Sequence, residues 1–319
     1  MIEWPAFSTD EFLDAVRDAF MPGATSGIAE CGGYRVRTLL RGGKAVTGLW
    51  QFPVYREPLD PATVAGGTRV PYLDDVVVAV TRAGEAGPPG TRPSPFVSWR
   101  DFPDWETFLT RSQAPPGLDA PATVLRKMRK LERELGPVEH RLFDDDPEVF
   151  ETLIRWKAAH FALTRRDHVL SRPEVVEFYR ELRRRGIFNA SSLRAGGRLV
   201  SGQIAYRVHG RHLSRLMVYD HDPALRRYSP GSVMQLLTLE ASYRAGDSEF
   251  DYLMGAEPHK FTYATHTRWV GKVGREPALR RMERVTRRQV SRRLSHFPGA
   301  YNRIRAMERR TKRWVNRAR

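Results

Sequence analysis

The segment Leu193-Arg194-Ala195-Gly196-Gly197-Arg198-Leu199-Val200-Ser201-Gly202 repeats, in altered form, an earlier one: Leu40-Arg41-Gly42-Gly43-Lys44-Ala45-Val46-Thr47-Gly48. From the second glycine of each pair onward the copies are offset by 154 residues, close to half of the 319-residue chain. β-Prone runs flank each Gly-Gly pair: Tyr34 to Leu40 and Ala45 to Phe52 in the first copy, Ala190 to Leu193 and Leu199 to Val208 in the second. Paired glycines supply the positive φ of a tight turn, so both copies predict a β-hairpin. Two such hairpins at half-chain spacing point to a duplicated architecture. A further turn at His209-Gly210-Arg211 leads into His212 to Tyr219, which extends the second hairpin to a three-stranded meander. On this reading His209 and His212 flank a turn and are exposed turn residues rather than ligands.

Helical signals surround the strands. Ser8 is placed to cap Thr9 to Phe20, where Phe12, Leu13, Val16 and Phe20 share a face and Asp10 and Glu11 occupy the first turn. The stretch Gly84 to Pro95 is rich in Gly and Pro and predicts a loop. A linker containing Ala114-Pro115-Pro116-Gly117 precedes a basic helix, Ala122 to Leu135. Helices Glu148 to Phe161 and Pro173 to Arg185 follow, the first carrying Trp156 as core and Lys157 as surface. After the meander come Ser229-Pro230-Gly231, a helix from Ser232 to Arg244 and a strand from Phe250 to Met254. This order predicts a mixed α/β domain.

A chain of this length suits two domains of ordinary size. Apolar residues make up 41% and charged residues 28%, a globular composition. The single cysteine, Cys31, excludes an intramolecular disulfide and a cysteine-rich metal site, and fits a reducing cytoplasm. The start, Met1-Ile2-Glu3-Trp4-Pro5, carries no export pattern, and Val76 to Val80 is too short to cross a bilayer. Net charge is +16, yet residues 275–319 hold 16 Lys/Arg against three acids, leaving the rest of the chain nearly balanced. Such a basic tail attracts any polyanion without sequence specificity. No His-Glu-x-x-His, Gly-x-Ser-x-Gly, Walker or Gly-x-Gly-x-x-Gly motif occurs.

Two clusters carry the chemistry. A strand ending at Tyr219 or Asp220, a basic loop and a Pro-Gly entry into a helix would present backbone N–H groups to an anion. Arg226, Arg227, Tyr228, Ser229, Gly231 and Ser232 are therefore the candidate phosphate-binding residues, the plain alternative being a helix N-terminus with Pro in its first turn. The run Asp251 to Lys260 puts a carboxylate in a short strand and, past Gly255, an acid, an imidazole and an amine within four residues. Together such groups can take up a proton and donate to an oxyanion, so Asp251, His259 and Lys260 are the catalytic candidates. Asp251 reads equally as a turn carboxylate, and Lys260 as a binder of an anionic substrate.

The segment Tyr219 to Lys272, with Tyr228-Ser229-Pro230-Gly231, Ala245-Gly246, Phe250-Asp251-Tyr252-Leu253-Met254-Gly255, Glu257-Pro258-His259-Lys260 and Trp269, resembles the acyltransferases of the GNAT superfamily. More narrowly it is similar to the CelD/BcsL-type acetyltransferase branch, related to Fem-type aminoacyltransferases built from two GNAT domains. Leu125 to Leu131 and Trp156-Lys157 fit the same branch, so the resemblance covers about residues 120 to 275. It implies an α/β fold of two tandem GNAT-like domains with mixed central sheets, residues 1–118 and 119–274, and a basic helical tail, residues 275–319. Lys260 then occupies the family's Tyr-Lys position with His259 replacing the tyrosine, and the loop before Gly231 offers fewer glycines than the family's coenzyme A site.

The resulting expectation is a cytoplasmic N-acyltransferase that forms an amide from acyl-CoA, such as acetyl-CoA, and a small-molecule or peptide amine, with no metal. A rival donor is aminoacyl-tRNA, gripped through Arg280, Arg281, Arg287, Arg288, Arg292 and Arg293 of the tail. A third reading is a non-catalytic scaffold that docks the tail on RNA or an anionic membrane surface.

Overall fold

A computed structural model describes residues 4–46, 55–60, 62–64, 66–112, 117–163, 170 and 172–275. The chain divides into a unit Met1–Val273 and a unit Gly274–Arg319. Residues 276–319 of the tail, with its six named arginines, lie outside the described residues.

The first helix, α1 (Asp10–Phe20), is capped by Thr9, whose side chain accepts the Phe12 N–H. It starts one residue later than a Ser8 cap would give, because Ser8 donates its hydroxyl to the Arg37 carbonyl at 3.1 Å. Strands β1 (Thr25–Cys31) and β2 (Tyr34–Arg41) pair antiparallel, followed by β3 (Lys44–Ala45) and β4 (Thr68–Arg69). Then come β5 (Tyr72–Arg82), β6 (Arg92–Ser98), α2 (Trp105–Arg111) and α3 (Pro121–Leu135). The second half runs β7 (Val138–Arg141), α4 (Pro147–Leu163), α5 (Pro173–Arg184), β8 (Asn189–Ala195), β9 (Arg198–Val208), β10 (Arg211–Tyr219), α6 (Pro230–Arg244), β11 (Glu249–Asp251) and β12 (His266–Gly274).

Both Gly-Gly pairs turn hairpins. Gly42 and Gly43 (φ 54° and 68°) join β2 to β3, and Gly196 and Gly197 (φ 56° and 79°) join β8 to β9, which is the conformation their lack of Cβ allows. The surrounding sheets differ. The first hairpin sits in a four-stranded mixed sheet of order β3-β2-β1-β4, the second in an eight-stranded mixed sheet of order β5-β12-β6-β11-β10-β9-β8-β7. Strands β5 and β6 thus belong to the same sheet as the strands after residue 119.

Because β6 lies between β11 and β12, the expected loop from Gly84 to Pro95 ends earlier, and Pro93 and Pro95 are strand residues. A proline cannot donate to a ladder but can accept from one. The Pro95 and Pro93 carbonyls take the Tyr252 and Gly255 N–H groups at 3.1 and 3.0 Å.

Helices cover both faces of the large sheet. On one face α1, α4 and α5 bury Phe12, Phe150, Leu153, Phe178 and Tyr179 against Ile204, Leu213, Leu216 and Val218. On the other, α3 and α6 bury Val124, Leu131, Val233 and Leu239 against Val97, Leu193, Val200 and Phe250. Among the described residues no helix is long and apolar enough to cross a membrane.

His212 corrects its sequence reading. Its ring is fully buried rather than exposed, sandwiched between Phe143 and Phe250 with centroids 6.0 and 4.8 Å away. The strand begins at Arg211, so residue 212 already points into the core.

Gly196 tests the hairpin. A Cβ there would lie 1.9 Å from the Leu135 carbonyl oxygen, at the end of α3. Gly196→Ala is expected to lower the unfolding free energy by more than about 1 kcal/mol, since strain from the positive φ adds to the clash. Chemical denaturation checks it, and an unchanged midpoint would contradict the packing.

Candidate active site

Strand β10 carries a one-residue irregularity. Its register with β9 shifts between Ser214 and Leu216, leaving Arg215 as the extra residue. The alternation of side chains changes parity there, so Leu213, Leu216 and Val218 all face the α4 and α5 side.

On its other edge β10 runs parallel to β11 for only three residue pairs, Arg211 to Leu213 against Glu249 to Asp251. Beyond them the two strands part. Asp251 ends β11 by accepting the Leu253 N–H on Oδ1 at 2.7 Å, an Asx-type turn, with Leu253 in the left-handed region at φ 58°. The proline carbonyls of β6 then draw the chain away from β10.

A buried charge cluster locks this turn. Asp251 Oδ2 accepts from Arg268 at 3.1 Å and from the Tyr55 hydroxyl, and lies 3.5 Å from Arg211. Glu249 pairs with both arginines, and Glu57 with Arg211 at 2.7 Å. Burial pushes the Asp251 carboxyl up from its ordinary pKa, while the Arg268 and Arg211 guanidiniums pull it back. Tyr55 and Glu57 come from the first half of the chain, so the cluster ties that half to the point where the strands part.

In the gap opens a cavity of about 290 Å³. Its walls are Lys157 and Phe161 of α4, Tyr179 of α5, Ser214 to Met217 of β10, Tyr252 and Met254 beyond β11, and Glu257, His259 and Lys260 of the following 3-10 turn. Lys157 donates to the Met217 carbonyl at 2.9 Å. Lys260 donates to the Met254 carbonyl at 2.7 Å and pairs with Glu257 at 3.4 Å. Burial lowers the Lys260 pKa, and burial with the neighbouring Lys260 charge lowers that of His259. Gln235 of α6 holds the floor, donating to the Tyr252 hydroxyl at 3.1 Å and to the His259 carbonyl at 3.2 Å.

The cavity therefore brings together His259 and Lys260 but not Asp251, which sits behind the wall. The donor-loop candidates divide similarly. Arg226 is exposed, and Arg227 pairs with Glu134 at 3.0 Å over the Tyr228 ring. The buried Tyr228 donates its hydroxyl to Glu134 at 2.7 Å. Ser229 accepts Lys127 on its side chain, and its carbonyl takes the Ser232 and Val233 N–H groups. Gly231 faces the Tyr219 ring, which a Cβ would meet at 3.1 Å.

Sequence reading missed Arg215 and Tyr179 and placed Lys157 on the surface. A cation inside the β-prone run Leu213 to Tyr219 was the available signal for Arg215, since charge within a buried strand demands an explanation. Among the described residues no group of three or more His, Cys, Asp or Glu is placed to hold a metal.

Parallel strands that part around a pocket, beside an irregular strand, form a GNAT-like fold. Residues 120–261 match the family model described as an acetyltransferase (GNAT) domain. Among solved structures the chain is similar to FemX, with 8% identity, 83% of this chain and 90% of that chain covered, and a TM-score of 0.51. It is also similar to L-PGS from Bacillus licheniformis (11% identity, 93% and 99% covered, TM-score 0.43). A tandem GNAT protein from the clavulanic acid biosynthesis pathway matches at 14% identity, with 86% and 91% covered and a TM-score of 0.38. No curated protein matches the chain.

Proposed function

We propose that the protein forms an amide by transferring an acyl group from acyl-CoA to an amine acceptor in the cavity between β10 and β11. The observation that carries this reading is the parting of those strands after Leu213 and Asp251, with titratable groups on the cavity wall. The amine nitrogen attacks the thioester carbonyl, a C–N bond forms, and the C–S bond breaks as the thiolate leaves. The nitrogen's proton passes to His259, which returns it to the leaving thiolate. Asp251 acts through position, by turning the chain away from β10.

Aminoacyl-tRNA as donor is the second reading. It is supported by the start of α6, where Pro230 has no N–H and those of Ser232 and Val233 turn to the Ser229 carbonyl, which leaves few donors for a coenzyme A pyrophosphate. The test offers the full chain acetyl-CoA or a charged tRNA pool with a panel of amines and follows donor consumption. Turnover of acetyl-CoA supports the first reading, turnover of the tRNA pool alone the second, and turnover of neither favours a non-catalytic scaffold.

His259 sets a pH dependence. Its lowered pKa keeps the imidazole a free base at neutral pH, so kcat/KM should fall only as pH drops below the ordinary value of 6.5. His259→Gln is expected to lower kcat by about 10²-fold or more and to remove that acid limb. An unchanged profile would exclude the imidazole as proton acceptor.

A further inference from the structure

The cavity wall has a sign. Among its described residues Lys157, Arg215 and Lys260 are cations and Glu257 is the one carboxylate. They come from three separate elements, α4, β10 and the 3-10 turn after β11, and converge on one small space. Arg215 is there because the strand irregularity turns it out of the β9 ladder, and its guanidinium lies 5.6 Å from the Tyr179 ring centre. In a partly desolvated pocket an excess of positive charge attracts an anion and repels an ammonium more strongly than it would in water. An amine entering it is favoured as the free base, the nucleophilic form. An amine with no other charge, however, gains nothing from the three cations.

Size decides which substrate supplies the anion. The phosphates of acyl-CoA are separated from the thioester by the whole pantetheine arm, and a cavity of about 290 Å³ is too small to hold both. An anion next to the reacting carbonyl therefore has to come from the acceptor. Guanidinium, with its planar fork of donors, suits an oxyanion in particular.

We propose that Arg215, Lys157 and Lys260 bind a carboxylate or phosphate group of the acyl acceptor, so that the acceptors are amines carrying an oxyanion on the same small molecule. The choice of ligand rests on the acyl-transfer reading, but the binding does not require turnover.

The test titrates the full-length protein and its variants Arg215→Gln and Lys157→Gln, by calorimetry at fixed ionic strength, with two matched pairs: lysine against cadaverine, and glucosamine 6-phosphate against glucosamine. The member with the oxyanion is expected to bind about tenfold tighter or more, and Arg215→Gln to remove that preference, as loss of a hydrogen bond to a charged group implies. The pair that shows the preference separates carboxylate from phosphate. Should Arg215→Gln fail to fold by circular dichroism, Lys157→Gln is expected to reduce the preference several-fold and carries the comparison. No preference in either pair, or a preference that survives in both folded variants, overturns the proposal. So does an equal loss of acetyl-CoA affinity, which would assign the wall to the donor. If no donor is consumed and the preference is present, the acyl-transfer reading fails and the anion site stands. If acceptors without an oxyanion are turned over as efficiently as their partners, the anion site fails and acyl transfer stands.

Discussion

Replacing Asp251 with alanine is expected to lower the unfolding free energy by about 3–5 kcal/mol, the cost of removing one partner from a buried ion pair and leaving the other unpaired. Asp251 is fully buried, and its loss would strip Arg268 and Arg211 of a carboxylate, Tyr55 of its acceptor and Leu253 of its N–H partner. Activity should fall with the fold, because the turn that separates β11 from β10 depends on the same side chain. Asp251→Asn separates position from catalysis. The amide oxygen still accepts the Leu253 N–H, so a folded Asp251→Asn protein should retain the acid limb of the kcat/KM profile. Complete loss of turnover in a variant with a native unfolding transition would show that the carboxylate itself takes part in the chemistry.

The second large effect concerns pH. Neither ring nitrogen of His212 has a hydrogen-bond partner among the described residues, and burial, with Arg207 and His140 adding to it, lowers the pKa to about 3. His140, near Thr238, is lowered by burial to about 4. The sign follows from linkage. Below the ordinary value of 6.5 the unfolded chain binds protons that the folded chain refuses, so the native state is at full stability above about pH 6.5 and loses it as pH falls toward these lowered values. At pH 5 His212 alone should cost about 2 kcal/mol. His212→Phe, stacking between Phe143 and Phe250, removes two unsatisfied polar atoms and the proton linkage together. The variant should therefore unfold at higher denaturant concentration than the parent at pH 5, with a smaller difference at pH 8. Equal pH dependence in the two proteins would rule out this account.

The contrast between the two histidines of the second turn shows where sequence reading loses power. His209 and His212 sit within three positions of Gly210, and both are polar residues beside a turn. Which of them lies in the core depends on the first strand residue after the turn, and that is decided by pairing of Arg211 with Val208 and Glu249. A shift of one residue exchanges the faces. The prolines of β6 fail for a related reason. Pro93 and Pro95 signal a loop locally, but a strand tolerates them where the neighbouring chain donates the hydrogen bonds.

Local chemistry was legible in the residues themselves. The Gly-Gly hairpins, the three-stranded meander and the helices read from Ala122, Pro173 and Ser232, two of which begin one or two residues earlier at Pro121 and Pro230, all follow from interactions spanning a few residues: positive φ at glycine, fixed φ at proline and period-matched apolar faces. The motif residues His259 and Lys260 could be named as well, because the cavity wall there is one continuous stretch of chain. Only the tertiary structure could bring Lys157 and Arg215 to the same cavity, or join Tyr55 and Glu57 to Arg211, Asp251 and Arg268. Those residues are far apart in the chain, and alone each reads as an ordinary polar residue. Their meeting depends on the order of eight strands and on where two of them part, and no local propensity encodes that distance.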